Sequence, residues 1–389
     1  MTHHVWFRRS SALAATVGLA AAGGVVSAAV LPAQGQGRAA PRVPQSVFTA
    51  RAFASGSRIM HATPKGREAI SQPDDITFLA GDIYVGFQNG VGPQGQASPT
   101  GNRDSTVVEF SAAGRAVRTW DLVGKCDGLT ADPSTGRVIA TVNEDAHSSL
   151  YLINPRADAA RYRYSKPLPS KGGTDAISIY HHRVLISASA PGTTGATPPR
   201  PTYPAVYSAK FNAAAHLVTM TPMFYDESRA TIVNVGQDKG KRVRLALVDA
   251  DSNEVVPSFA PRFAGDFMLT SQGDQEQIFV SDLGGPRQTL SALSLSASVD
   301  DTAWPSDRNG ALYASDNANN TIYRITGPFT RGSVLVADTP CDQNDAPATC
   351  PRPNFPPNFL GLLSPYTGVI TRVDLSGPAV QPQGLLFRP

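Results

Sequence analysis

The stretch SVDDTAWPSDRNGALYASDNANNTIYRIT, Ser298–Thr326, carries the clearest structural signal in this 389-residue chain. Two turn segments rich in Asp, Asn, Pro and Gly, Pro305–Gly310 and Asp316–Asn320, separate three short runs of β-prone residues. Turn residues at regular intervals between such runs indicate antiparallel strands joined by hairpins. The stretch therefore predicts three consecutive short strands.

Units with the same order recur along the chain, and most of them start with an Asp before the first strand. The leading positions are Asp75, Asp127, Asp175, Asp266 and Asp301, and a degenerate unit (ATIVNV, RVRLALVDA, EVVPSF) fills the longer interval before Asp266. Repeats of this size, each with about four short strands, are typical of β-propeller blades, which bury their two faces only against neighbouring blades. We expect an all-β chain with a single propeller of six or seven blades, and we favour seven. The alternative is a β-sandwich followed by a second β domain.

The first 28 residues predict an export signal, because a basic segment is followed by an Ala-, Gly- and Val-rich segment and a small-residue cleavage site at Val26–Ala28. The pair Arg8 and Arg9 resembles a twin-arginine signal; ordinary secretion and a retained membrane anchor are the alternatives. Residues 29–45 form a low-complexity linker, and residues 46–389 form the propeller, in which an N-terminal strand completes the last blade. We expect a secreted or cell-envelope protein.

Composition excludes some partners. The formal net charge of +3 falls to +1, 32 basic against 31 acidic residues, once Arg8 and Arg9 are removed with the signal. A nucleic-acid-binding protein would show a clustered basic excess, so we expect no nucleic-acid partner. No stretch after the signal is long and apolar enough to predict a membrane span, and we expect a monomer.

Three cysteines are present. Cys341 and Cys350 bracket the loop DQNDAPAT and predict a local disulfide in an exported protein, which leaves Cys126 unpaired. The alternative is that all three thiols are free. No zinc-binding spacing accompanies them.

Blade geometry places the leading Asp residues and the ends of the second strands at one mouth of the central channel. The sequence therefore predicts a ligand-binding set at this mouth, namely Asp75, Asp127, Asp175, Asp266, Asp301 and Asn143. In one interpretation these oxygens bind Ca²⁺ or a similar cation. In the other, each Asp caps its own turn, and it recurs because the turn recurs. Glu144 and His147 are the candidates for acid–base catalysis.

Two segments also resemble a known family. DGLTADPSTGRVIATV, Asp127–Val142, and the stretch that ends at Thr326 are similar to blades of bacterial NHL-type and gluconolactonase-like propellers. The resemblance extends over the mature chain as a blade pattern. It implies a divalent metal at the channel mouth and hydrolysis of lactones or related esters. The matching metal ligands here would be Asp127, Asn143 and Glu144, whereas Asp74 and Asp75 stand where the family begins with Glu.

Two functions of different classes follow. The first is an exported propeller that binds a small molecule, a glycan or a protein at its acidic mouth without chemistry. The second is a divalent-metal-dependent hydrolase of the lactonase or esterase type. A cation shared by the mouth carboxylates would distinguish them.

Overall fold

The computed structural model describes residues 47–169, 171–189, 202–234, 236–340 and 357–389. In these ranges the regular secondary structure is almost entirely β-strand, and the one helix is a single 3₁₀ turn over Gly56–Arg58. None of the described helical structure is long and apolar enough to cross a membrane. In chain order the strands are β1 (Phe48–Ser55), β2 (Met60–Thr63), β3 (Gly66–Ala69), β4 (Pro73–Leu79), β5 (Asp82–Phe87), β6 (Asp104–Phe110), β7 (Ala116–Val123), β8 (Cys126–Asp132), β9 (Arg137–Val142), β10 (Ser149–Ile153), β11 (Ala160–Tyr164), β12 (Ile177–Tyr180), β13 (Arg183–Ser187), β14 (Pro204–Asn212), β15 (Leu217–Tyr225), β16 (Arg229–Ile232), β17 (Arg242–Arg244), β18 (Ala250–Val255), β19 (Phe267–Ser271), β20 (Glu276–Ser281), β21 (Thr289–Ser294), β22 (Val299–Ala303), β23 (Ala311–Asp316), β24 (Thr321–Thr326), β25 (Val334–Asp338), β26 (Phe359–Leu363), β27 (Ile370–Arg372), β28 (Leu375–Ser376) and β29 (Leu385–Arg388).

Apart from β2 and β3, which pair with each other in a separate hairpin, these strands form the six blades of a β-propeller. Blade I is β4–β7, blade II is β8–β11, and blade III is β12–β15. Blade IV is β18–β21 with β16 and β17 added at its outer edge, blade V is β22 with β25–β27, and blade VI is β29, β23, β24, β1 and β28. The innermost strands β4, β8, β12, β18, β22 and β29 contact one another in that order, and β29 contacts β4, so the ring is closed. The predicted fold class is confirmed.

Burial explains why the blades need one another. Every residue of β10 (SLYLI) and β19 (FMLTS) is buried, so both faces of these strands are covered. In the outer strand β7 (AVRTWDLV), by contrast, only Trp120 and Leu122 are buried. Apolar layers fill the spaces between blades. For example, Leu185 of blade III packs in one cluster with Phe267 and Ile278 of blade IV.

The preference for seven blades is wrong, because the degenerate fourth unit is not a separate blade. Its strands β16 and β17 extend the outer edge of blade IV, where β16 pairs with β21 in parallel. Glu254 and Val255, which begin the segment EVVPSF, form the end of β18, and β18 pairs directly with β19. The fourth and fifth predicted units are therefore one blade.

The opening stretch also divides differently from the prediction. Its first strand, β22, pairs with β25 in blade V, whereas β23 and β24 lie in blade VI. Blade VI is completed by β29 from the C-terminal side and β1 from the N-terminal side. The expected closure of the last blade by an N-terminal strand is thus confirmed.

Candidate functional site

The same irregularity starts four of the six inner strands. In β4, β8, β18 and β22 the pairing register with the second strand shifts by a bulge at the mouth of the channel. The bulged residues include Asp74, Asp127, Asp251 and Asp300. A bulge inserts an extra residue and redirects side chains out of the regular alternation. This device brings one Asp per blade to the channel mouth, and Asp175 joins them from the start of β12.

Ser and Thr side chains hold this arrangement from the second strands. Thr141 donates a hydrogen bond to the carbonyl oxygens of Gly128 (3.3 Å) and Asp175 (2.7 Å). Ser187 donates in the same way to Ala176 (3.3 Å) and to Asp251 (2.6 Å) in the next blade. The backbone that carries the mouth carboxylates is therefore fixed both within a blade and between blades.

The mouth is a polar cavity of about 380 Å³. Seven carboxylates line it, from Asp74, Asp75, Asp127, Glu144, Asp175, Asp251 and Asp300. Of the described residues that line it, Lys125 is the one cation. Lys125 Nζ lies 3.1 Å from Asp127 Oδ1 and also forms an ion pair with Glu144. The cavity thus holds a large excess of acidic groups around a single, mostly buried ammonium.

Gln88, directly after β5, connects two of these carboxylates. Its Nε2 donates to Asp74 Oδ2 at 2.7 Å and to Asp127 Oδ1 at 2.9 Å. Asp127 is only 6 % exposed, and within the described part of the chain no N–H or O–H group donates to its Oδ2. The carboxyl groups of Asp74 and Asp127 are also close enough to share a proton. Oδ2 of Asp127 can therefore accept a hydrogen bond, either from the proton shared with Asp74 or from a donor group of a ligand.

Burial and mutual repulsion shift the titration of this group of acids. Burial, followed by the charge of Asp300, raises the pKa of Asp74 to about 7. Burial raises the pKa of Asp127 to about 7 despite the opposing effect of Lys125, and burial with the charge of Asp127 raises the pKa of Glu144 to about 8. For Lys125, burial alone would lower the pKa, but the neighbouring carboxylates outweigh burial and raise it well above its usual range.

Two of the predicted ligand-binding residues instead tie neighbouring blades together. Asp75 Oδ2 accepts a hydrogen bond from Leu129 N of blade II at 2.7 Å. Asp301 Oδ2 accepts one from Leu385 N of blade VI at 2.6 Å, and its Oδ1 accepts from Thr302 N. The predicted role is that each Asp caps its own turn, and Asp301 does so through Thr302 N. However, Leu129 N and Leu385 N, which Asp75 and Asp301 also cap, belong to the next blade.

Asp266 lies away from the mouth. It precedes β19, the second strand of blade IV, and β18 runs from the mouth at Asp251 to Val255, which pairs with Phe267. Asp266 is therefore at the opposite end of the channel, and the expected place at the mouth is wrong. Asp251, which sequence analysis did not single out, takes that position. Lys125 was also missed, and its place directly before the Cys126–Asp127 pair was the available signal.

His147 and Cys126 do not line the cavity. His147 is exposed and has a positive φ of 57°. Cys126 is a buried free thiol. Cys341 and Cys350 lie outside the described residues, as does the proposed signal. Of the catalytic candidates, Glu144 is the one at the mouth.

The residues that would hold a divalent metal do not fit that role as they stand. Asn143 uses its Oδ1 to accept from Lys125 N and its Nδ2 to donate to the His147 carbonyl oxygen, so both ends of the amide already bind backbone groups. The ammonium of Lys125 contacts both Asp127 and Glu144. Over the described ranges, no three Asp, Glu, His or Cys side chains have the arrangement of a metal-ligand set.

A second cavity of about 280 Å³ continues along the inner strands. It shares Asp75, Ala176 and Ser252 with the mouth cavity, so the two spaces adjoin. Its other lining residues lie further along the same strands, and they include Glu254 and Asp301.

Comparison with known proteins gives structural neighbours of low similarity. No protein-family model matches this chain, and no curated protein sequence matches it. A streptogramin B lyase structure is 11% identical, over 87% of this chain and 90% of that chain, with a TM-score of 0.40. A putative gluconolactonase is 12% identical, over 87% and 83%, with a TM-score of 0.42. A putative 6-phosphogluconolactonase from Bacteroides fragilis NCTC 9343 is 12% identical, over 90% and 100%, with a TM-score of 0.41.

Gluconolactonase-like proteins, to which the blade sequences are similar, are thus also among the structural neighbours. At these identities no substrate and no residue role is carried over to this chain. The propeller assignment follows from the strand pairing described above.

Proposed function

We propose that this protein is an exported β-propeller that binds a positively charged organic ligand at the acidic mouth of its channel. The observation that carries the proposal is the set of seven carboxylates around one Lys in a single cavity of about 380 Å³. A cavity of this size accommodates a small molecule or the end of a longer one. Export is the expectation from the first 28 residues.

The electrostatics of the mouth favour a cationic ligand. Buried ionised carboxylates need partners, or they take up protons. Lys125 neutralises one charge, and the raised pKa values of Asp74, Asp127 and Glu144 show that protons compensate part of the rest. A bound ammonium or guanidinium group would replace those protons and supply hydrogen bonds to the same oxygens.

The available acceptors favour a ligand with several N–H donors. Within the described ranges, Asp127 Oδ2 and Gln383 Oε1 are buried and receive no hydrogen bond, and both residues line the cavity. The carboxylates are distributed around the ring, since Asp74, Asp175 and Asp251 come from three different blades. A single metal ion needs oxygens that converge on one point, whereas an organic cation can contact several separate oxygens.

The alternative of a lactonase-type hydrolase requires a divalent cation at Asp127, Asn143 and Glu144. Asp127 and Glu144 do face one common point, which supports this candidate, but Lys125 Nζ occupies that point. A cation could enter only if the Lys125 side chain moved away. Ca²⁺ is therefore tested beside the organic cation.

Isothermal titration calorimetry at pH 8 tests the proposal. The ligands are 1,4-diaminobutane, its neutral isostere 1,4-butanediol, and CaCl₂. We expect the diamine to bind and the diol to give no signal. Asp127→Asn should weaken diamine binding by roughly tenfold or more, as expected for the loss of a hydrogen bond to a charged group.

The matched control is Asp158→Asn. It removes the same charge from a fully exposed side chain that pairs with Arg118. This variant should bind the diamine like the unmodified protein. Absence of diamine binding, or equal losses in the two variants, would refute a specific cation site at the mouth. Binding of Ca²⁺ in place of the diamine would support the hydrolase alternative.

A further inference from the structure

The inner cavity contains buried polar atoms that lack partners. Ser178 Oγ and Asn253 Oδ1 belong to side chains of residues that are 7 % and 4 % exposed, and neither atom has a hydrogen-bond partner among the described residues. Both residues line the inner cavity. Buried polar atoms are nearly always hydrogen-bonded in folded proteins, so these two atoms point to a group that enters the channel.

An acidic group lies at the same depth. Glu254 forms a carboxyl–carboxylate hydrogen bond with Asp301. Asp301 already accepts two backbone N–H bonds, from Thr302 and Leu385, and is thereby committed to the fold. Within the described ranges, the carboxyl group of Glu254 accepts no backbone N–H bond, so Glu254 is the acid that an ammonium group could engage. Apolar residues, including Ile76 and Leu129, line the wall between this level and the mouth.

Strand geometry gives the distance between the two acidic levels. Asp251 at the mouth and Glu254 in the inner cavity are three residues apart on β18. Three residues span about 10 Å in an extended strand, and the bulge shortens this slightly. An extended aliphatic chain advances about 1.2 Å per bond, so about eight bonds are needed between two nitrogen atoms to reach both levels.

We infer that the ligand is a linear polyamine-type cation that enters the channel end-on, with one ammonium group at the mouth carboxylates and a second at Glu254, Ser178 and Asn253. This inference rests on the proposed cation site at the mouth and specifies its ligand. The methylene chain between the two nitrogens contacts the apolar wall. A diamine with five bonds between its nitrogens, about 6 Å, reaches only the mouth.

A series of ligands of different length tests this inference by calorimetry. The ligands are 1,4-diaminobutane, 1,8-diaminooctane and n-octylamine, which has the longer chain but one ammonium group. We expect 1,8-diaminooctane to bind about tenfold more tightly than either of the others, a gain typical of one hydrogen bond to a charged group. Octylamine as tight as the long diamine would mean that only chain burial matters, and would overturn the inference.

The variant Glu254→Gln should remove the advantage of the long diamine and leave 1,4-diaminobutane binding unchanged. Its matched control is Glu276→Gln, because Glu276 is a half-buried acid on β20 that does not line either cavity. Equal affinity of the unmodified protein for short and long diamines would overturn the inference while the mouth site stands. Failure of both diamines to bind would overturn the mouth site as well.

Discussion

Replacing Asp127 by Asn should remove part of the pH dependence of this protein's stability. The pKa of Asp127 is raised from 3.8 to about 7, first by burial and then, against the effect of Lys125, by Asp74. A carboxyl group with a raised folded-state pKa keeps its proton in the folded state while the unfolded chain has lost it. Its contribution to stability is thus fully present below about pH 4 and is lost as the pH rises through about 7.

The expected magnitude follows from the same two values. For one group with these pKa values, proton linkage gives a loss of about 2–3 kcal/mol in the free energy of unfolding between pH 5 and pH 8. Unfolding entropies of ~2.1 cal/mol/K per residue amount to ~0.7 kcal/mol/K for a domain of this size, so the loss corresponds to about 4 °C in melting temperature. Because Asn retains an Oδ1 for Gln88 and Lys125, the variant should fold normally.

Melting temperatures of the dialysed protein, measured by circular dichroism at pH 5, 6, 7 and 8, provide the assay. The melting temperature of the unmodified protein should fall across this range, and that of Asp127→Asn should fall by about 4 °C less. Asp158→Asn, at the exposed surface, should follow the unmodified protein. Parallel curves for Asp127→Asn and the unmodified protein would show that Asp127 is not held protonated by its surroundings.

Three further outcomes are expected. Diamine binding should tighten from pH 6 to pH 8 and release protons, because the cation replaces protons on Asp74, Asp127 and Glu144. Titrations in two buffers of different ionisation enthalpy measure the proton release. Diamine binding that does not depend on pH would contradict this prediction. Addition of a chelator and then of Ca²⁺ should leave the melting temperature unchanged, because Lys125 occupies the point between Asp127 and Glu144. A melting temperature that falls with the chelator and recovers with Ca²⁺ would instead support a metal site. Gly128→Ala should lower the free energy of unfolding, measured by urea denaturation, by about 1–3 kcal/mol, because the new methyl group would collide with the Asp175 carbonyl oxygen. An unchanged midpoint of the urea denaturation curve would contradict that contact.

The fold could be predicted from the sequence because blade strands are local. Turn residues and alternating segments lie within one repeat, and they identify the strands without knowledge of their partners. The blade count could not be obtained in this way. Whether β16 and β17 form a blade or extend one depends on a parallel pairing with β21, some 60 residues later in the chain. The transfer of β23 and β24 to blade VI likewise depends on β29, at the far end of the sequence.

The mouth could be predicted only in part. The leading Asp of blades II and III precede recognisable inner strands, and Asp127 and Asp175 line the cavity. In blade IV the inner strand is ADSNEV. Its bulge interrupts the alternation of apolar and polar residues that marks a strand, so the sequence does not identify it as an inner strand. A bulge is defined by two residues opposite one on the partner strand, so a single-strand pattern does not show it. The sequence pattern therefore points to Asp266 and not to Asp251 as the leading Asp of this blade.

Blade VI shows that the acidic residues are not needed to build the channel. Ser315 donates to the Gly384 carbonyl oxygen as Thr141 does to that of Gly128, so the residue before Gly384 occupies the place that Asp127 has in blade II. That residue is Gln383, which is neutral and also lines the mouth. The ring therefore closes with an uncharged side chain at this position. At the equivalent places of other blades, burial and neighbouring acids raise the pKa values of Asp127, Asp175 and Asp251. Acids with raised folded-state pKa values lower the stability of the fold near neutral pH. A fold that can be completed without these charges, yet has them in five blades, supports the proposal that they serve to bind a ligand at the mouth.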